Sequence, residues 1–167
     1  MGDTGNLTAR LHDLAADVAS LHSQLILLVA PPGSGKTALL GAYANQRGAP
    51  VLAVGASLGA ALAALPRQQR PLQAGTLLRE LAAPLAGGKL PLLLDNLELL
   101  FDASLRLNPI LLLKNLARGR VVVAAWPGEV RQTTHGTRLI YARRGHPEYR
   151  EEGVEGLFTL AITRPGL

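Results

Sequence analysis

The stretch that decides the fold is Leu25-Ile26-Leu27-Leu28-Val29-Ala30-Pro31-Pro32-Gly33-Ser34-Gly35-Lys36-Thr37. Its first six residues are an unbroken apolar run, the pattern of a strand buried on both faces, and Pro31-Pro32-Gly33 ends it. From Lys36 to about Arg47 the sequence reads as a helix, with Gly48 as its stop. Between strand and helix, Ala30 to Thr37 has the form of a phosphate-binding loop with alanine in first place. Gly33 and Gly35 allow the backbone to turn so that successive N–H groups converge on an anion, and the helix aims its positive end at the same point. In such a loop Pro32, Gly33, Ser34, Gly35, Lys36, Thr37 and Ala38 cradle the phosphates of a nucleotide. The Lys36 ammonium reaches the β- and γ-phosphates and the Thr37 hydroxyl ligates Mg2+. Lys36 is one of 3 lysines in a chain with 14 arginines. Arginine would serve poorly there, because the loop needs a compact ammonium and not a wide planar fork. ATP and Mg2+ are the expected ligands, although the loop does not read the base.

Around this core, strands alternate with helices. Asn6 to Ser23 reads as an N-terminal helix with Leu7, Leu11, Leu14, Val18, Leu21 and Leu25 on one stripe, started by Thr4 or Asn6. Val51 to Val54 is a short second strand, and residues 58–66 and 74–86 read as helices. Leu90 to Leu94 is a third buried strand ending on Asp95, and Pro109 to Ala117 reads as another helix. Arg120 to Trp126 is a fourth strand, and Arg138 to Ala142 and Leu157 to Ile162 are final strands flanking a polar stretch from Arg143 to Glu155. The expected architecture is one α/β domain over residues 1–167. It is a three-layer P-loop NTPase core of the RecA/AAA-like kind, mostly parallel, with an N-terminal helix and no C-terminal helical lid.

Leu92-Leu93-Leu94-Asp95 supplies the second half of the expected site, an apolar strand that delivers a carboxylate to the Mg2+ shell beside Thr37. Val51 to Val54 intervenes along the chain between loop and aspartate, which favours the RecA and AAA-like branch, where an extra strand is inserted. Nucleotide and small-molecule kinases would show an arginine-rich lid, and Pro66-Arg67-Gln68-Gln69-Arg70 is the nearest stretch to one. The residue after the metal aspartate is Asn96, where such ATPases usually carry a glutamate. An amide orients water but does not take its proton. Glu98 is the nearer candidate base and Asp102 the more remote one. Slow hydrolysis, or hydrolysis completed by a partner, follows. At the end of the fourth strand Trp126 reads as packing and not as a phosphate sensor. Arg131, Arg138, Arg143 and Arg144 lie in the region from which an arginine finger would come, and spacing does not choose among them. His12, His22, His135 and His146 show no metal-ligand spacing and read as surface or packing residues.

Composition removes several alternatives. The chain has 167 residues, 48% of them apolar and 17% charged, which excludes a disordered chain. No apolar run approaches the roughly 18–20 residues that cross a bilayer. The absence of cysteine excludes disulfide frameworks, cysteine zinc sites and thiol chemistry, and fits a reducing cytoplasm. Asp3, Arg10, Asp13 and Asp17 interrupt what a signal peptide would need to keep apolar. The net charge of +5 and the Arg143-Arg144 pair admit a DNA contact, yet six aromatics leave little for base stacking.

With these motifs placed, the chain resembles the BrxF family, small P-loop proteins of type 3 BREX bacteriophage-exclusion systems. The likeness is carried by Leu93-Leu94-Asp95-Asn96-Leu97-Glu98 with Phe101-Asp102, by Val121-Val122-Val123-Ala124-Ala125-Trp126, and by Tyr141 with Gly145-His146-Pro147-Glu148-Tyr149-Arg150. It covers nearly the whole chain. Asn96 is then a property of the group. Pro127 departs from the asparagine expected after the tryptophan, so a sensor role there falls away. The resemblance implies a bacterial cytoplasmic protein that works beside a large AAA-type ATPase, a DNA methyltransferase and an alkaline-phosphatase-like protein. With no lid of its own, such a core is expected to assemble with copies of itself when nucleotide is bound. The rival expectation is a nucleotide-gated interaction module that scarcely hydrolyses.

Overall fold

Leu25–Ala30 forms strand β1, every residue of it buried, as its unbroken apolar run requires. Burying each of its Leu, Ile and Val side chains contributes roughly 1.5–3 kcal/mol. The computed structural model describes residues 2–31, 33–85, 89–142, 145–154 and 157–162. In chain order the described elements are α1 (Gly2–Val18), β1, α2 (Lys36–Arg47), β2 (Val51–Ala53), α3 (Val54–Ala63), α4 (Arg70–Ala82), β3 (Leu92–Asp95), α5 (Pro109–Leu116), β4 (Val122–Pro127), β5 (Glu129–Thr133), β6 (Gly136–Tyr141), β7 (Arg150–Gly153) and β8 (Phe158–Ala161).

Five strands form a parallel sheet in the order β2-β3-β4-β1-β8. Leu25 and Leu92 both stand opposite Val122, so β4 lies between the strand that precedes the loop and the strand that ends on Asp95. This corrects one step of the sequence reading. The strand that intervenes along the chain, β2, sits at the sheet edge beside β3, and the inserted strand is β4. β4 tolerates the central place because Val122, Val123, Ala124, Ala125 and Trp126 are apolar and buried on both faces.

Alternation along β1 sorts its side chains between two cores. Leu25, Leu27 and Val29 pack with Leu58, Leu62, Leu78, Leu97, Phe101 and Leu113 on the α3–α4–α5 side. Ile26 and Leu28 pack with Leu11, Val18, Leu39, Leu40 and Tyr43 on the α1–α2 side. Helices therefore cover both faces, and the α/β, three-layer, mostly parallel architecture stands. Among the described residues no helix follows β4, and none is long and apolar enough to cross a membrane.

Several boundaries differ from expectation. β2 stops at Ala53 and α3 runs Val54–Ala63, so the helix expected over 58–66 starts earlier and takes Val54 from the expected strand. α1 ends at Val18, with Leu21 41% exposed outside the stripe and Leu25 already in β1, so the apolar spacing ran past the helix. Asn6 lies inside α1 and does not start it; the Thr4 side chain lies outside the described residues. α4 begins at Arg70 because Pro71 fits the first turn of a helix, where its missing N–H has no partner to lose. The larger correction concerns the C-terminal third. β5, β6 and β7 form a separate antiparallel sheet, pairing Arg131 with Arg138 and Ile140 with Glu151. β7 falls within the polar stretch from Arg143 to Glu155, where no strand was expected, and this meander occupies the connection between β4 and β8.

Candidate functional site

Where β1 ends, the chain turns through Gly33 and Gly35 at φ 78° and 89°, values that side chains with a Cβ rarely adopt. Gly35 caps α2 without any side-chain bond, so no capping side chain occupies the first N–H groups of that helix. Lys36 folds back across the turn. Its Nζ donates to the carbonyl oxygens of Ala30 at 2.7 Å and Pro31 at 2.9 Å, and the residue is only 8% exposed. Burial pushes its pKa below the ordinary 10.5, opposed by the carboxylates of Glu98 and Asp95.

Asp95 closes β3 and is 6% exposed; one carboxylate oxygen accepts from the backbone N–H of Asn96 at 2.9 Å. Asn96 sits at φ 57°, ψ 61°, in the left-handed region. Asparagine enters that region at little cost, whereas a longer acid such as glutamate does so less readily. The amide that looked like a chemical departure therefore also has a backbone reason. The turn is held by Gly55, whose N–H donates to the Asn96 carbonyl at 3.0 Å. A 3-10 segment, Leu97–Phe101, follows, burying Leu97, Leu100 and Phe101 and leaving Glu98 exposed.

These pieces meet at one cavity of about 510 Å³, lined by Gly33, Gly35, Lys36, Thr37, Ala38, Asp95, Asn96 and Glu98. Gly33, Gly35, Lys36, Thr37 and Ala38 of the expected loop, the expected metal ligand Asp95 and the candidate base Glu98 thus line one cavity. Ser34 belongs to the turn but not to this lining, and Pro32 lies outside the described residues. Asp102 accepts from the N–H and hydroxyl of Ser104 and is not part of the lining, nor is the Arg67–Gln69 turn, which opens on a separate small cavity with Arg70, Pro71 and Ser104.

Of the candidate fingers, Arg131 pairs with Glu129 on the exposed face of β5, and Arg138 is bound to Glu151 at 3.1 Å. Neither lines the cavity; Arg143 and Arg144 lie outside the described residues. Trp126 is fully buried, as packing requires, with Nε1 donating to the Ile140 carbonyl at 3.3 Å.

Spacing gave no functional weight to Tyr141. It stacks on Phe101 with ring centroids 3.7 Å apart, and Phe101 in turn meets Trp126 edge-on at 5.0 Å. Tyr141 Oη donates to Glu148 at 3.3 Å. Burial first, then the charges of Glu148 and Glu98, push its pKa up to about 12. A second cavity of about 590 Å³ opens here, bounded by Pro31, Pro127, Glu129, Tyr141, His146 and Glu148 among others. The three rings thus join β4, the segment after Asp95 and the meander beside the phosphate loop.

No protein-family model matches the chain, and no curated protein matches it. Among solved structures, C. elegans PCH-2 is similar over 99% of this chain and 44% of its own, at 14% identity and a TM-score of 0.49. The chain thus spans less than half the length of PCH-2. The strand order, not this likeness, defines the fold.

Proposed function

We propose that this chain binds ATP with Mg2+ in the cavity between the phosphate loop and Asp95, and hydrolyses it slowly or with help from a partner. One observation carries the reading: Lys36, Thr37, Asp95 and Glu98 line the same cavity at the carboxyl end of a parallel sheet. The donors suit the ligands. The N–H groups at the start of α2 suit phosphate oxygens, and the Thr37 hydroxyl with the Asp95 carboxylate gives the hard oxygen set that Mg2+ takes. Mg2+ bound there supplies positive charge against the β- and γ-phosphates. Lys36, released from the Ala30 and Pro31 carbonyls, adds its ammonium to the same charge. In this reading Glu98 takes a proton from an attacking water, and Asn96 orients that water without accepting its proton.

An oligomer formed on nucleotide binding, and action in bacterial phage defence beside the other BREX proteins, belong to the same proposal. The sequence resemblance supports them, as does a cavity that no arginine lines among the described residues. A DNA contact and a cytoplasmic setting are its remaining parts, resting on charge and on cysteine usage.

Phosphate release with light scattering, with and without ATP and Mg2+, tests it. Expected are turnover that disappears in Lys36→Ala and falls in Glu98→Ala, and a mass that rises with nucleotide. A second reading, a nucleotide-gated interaction module, is favoured by Asn96 at the position after the metal aspartate. Tight ATP binding with negligible turnover, even with the partners and DNA present, selects it.

A further inference from the structure

Phe101, Trp126 and Tyr141 are three of the chain's six aromatics, gathered at one point of a core otherwise rich in leucine. They meet where the meander adjoins the segment after Asp95. The Tyr141 ring lies on Phe101 with centroids 3.7 Å apart and planes 17° from parallel, and Phe101 stands edge-on to Trp126 at 85°. We propose that Tyr141 is a positioning residue for Glu98: stacked on Phe101, it fixes the 3-10 segment that holds the candidate base at the nucleotide cavity. The proposal rests on the reading of that cavity as an ATPase site.

Leu97–Phe101 is a single short 3-10 run. Such runs have poorer hydrogen-bond geometry than an α-helix, so their placement depends on what they pack against. The entry to the run is held by the backbone. Asp95 accepts from the Asn96 N–H at 2.9 Å, and the Gly55 N–H donates to the Asn96 carbonyl at 3.0 Å. Its far end is held by Phe101, buried between Trp126 and Tyr141. Side chains three positions apart eclipse in a 3-10 helix, which sets Glu98 in line with Phe101 on one face. The electrostatics agree: the Glu98 charge reaches both the Tyr141 phenol and the Lys36 ammonium.

Tyr141 is itself held on several sides. The carbonyl of Ile140, the residue before it, accepts from Trp126 Nε1 at 3.3 Å, and its own Oη donates to Glu148 at 3.3 Å. Arg150, opposite Tyr141 in the β6–β7 register, donates to the Leu107 carbonyl at 2.6 Å. The meander thus grips the chain at Phe101 and again at Leu107. Glu148 and Arg150 do not line the nucleotide cavity, and their contacts support Tyr141 instead. A ring suits this role, because two stacked aromatics fix an angle as well as a distance, whereas an aliphatic side chain only fills space.

The test compares Tyr141→Leu and Tyr141→Met, which fill much of the space without a ring, with Tyr141→Phe, which keeps the ring and loses the hydroxyl. Single-turnover hydrolysis of radiolabelled ATP gives the chemical rate, calorimetric titration gives ATP affinity, and amide hydrogen exchange reads the segment itself. In the ringless variants the rate should fall by about 10–100-fold, the cost of displacing a reacting group by up to about 1 Å. ATP affinity should stay within about threefold, and Tyr141→Phe should bring the rate back to within about threefold. Exchange at Leu100, Phe101 and Asp102 should quicken by about tenfold without the ring, while Leu39 and Leu40 in α2 keep their rates. An unchanged rate in the ringless variants, affinity lost in step with the rate, no recovery in Tyr141→Phe, or unchanged exchange would overturn the positioning role. Faster exchange in the ringless variants of a chain whose unsubstituted form hydrolyses no ATP would instead overturn the reading of the cavity, and the assignment of Glu98 with it.

Discussion

Lys36 Nζ donates to the Ala30 carbonyl oxygen at 2.7 Å, so the loop's first residue holds the ammonium that the phosphates would take. The lysine is thereby stored inside the turn, with a pKa lowered by burial. Between that lowered value and 10.5 the folded chain carries fewer protons on Lys36 than the unfolded chain. Stability contributed through this group therefore rises with pH across that window. Urea midpoints measured toward pH 10.5 should show the rise, and Lys36→Met should remove it.

Tyr141 gives the opposite sign. Its folded pKa of about 12 exceeds the ordinary 10.0, so between those values the folded state keeps a proton that the unfolded state has lost. Stability from this group is complete below pH 10 and falls as pH rises toward 12. Tyr141→Phe should abolish that alkaline loss. In tyrosinate absorbance it should also delete an ionisation near 12.

Gly128 ties the meander to the parallel sheet. A Cβ added there would stand 1.9 Å from the Ile140 carbonyl oxygen and 3.0 Å from Trp126 Nε1. Gly128→Ala must therefore push β6 off Trp126, at a cost of about 1–3 kcal/mol. Calorimetry should read this as a midpoint lower by roughly 2–12 °C. The emission of Trp126, the only tryptophan, should shift as its indole loses the Ile140 bond.

Glu98 and Asn96 divide the expected work on water. Glu98→Gln keeps the shape of the side chain and removes its basicity. Phosphate release should fall by about 10²–10⁴-fold while ATP affinity stays within a few-fold. Equal turnover in Glu98→Gln and the unsubstituted chain would dismiss Glu98 as the base.

The strands β1, β3 and β4 are legible in the sequence because sheets buried on both faces demand uninterrupted apolar runs, and Leu25–Ala30, Leu92–Leu94 and Val122–Trp126 provide them. The loop and Asp95 are legible because their residue types follow from local backbone and charge requirements. The meander is not. Glu129-Val130-Arg131-Gln132-Thr133 and Arg150-Glu151-Glu152-Gly153 are mostly polar, with no buried residue in either strand. They become strands through partners distant in sequence, such as the Arg138–Glu151 pair and the Trp126–Ile140 bond. The role of Tyr141 was hidden for the same reason: its stacking partner Phe101 is 40 positions away, and the Glu98 charge acts on it only once the sheet has folded. Spatial order escaped as well, since nothing local tells whether β2 or β4 lies beside β1.

The most direct test of the central claim is calorimetric titration of ATP with Mg2+ into the purified chain and into Lys36→Ala. The account predicts a single site of micromolar affinity or better. Losing the charged hydrogen bonds of Lys36 should weaken it by about 100-fold. Absence of ATP binding by the unsubstituted chain, or binding that Lys36→Ala leaves unchanged, would contradict the assignment of the cavity at Gly33, Lys36, Thr37 and Asp95 as a nucleotide site.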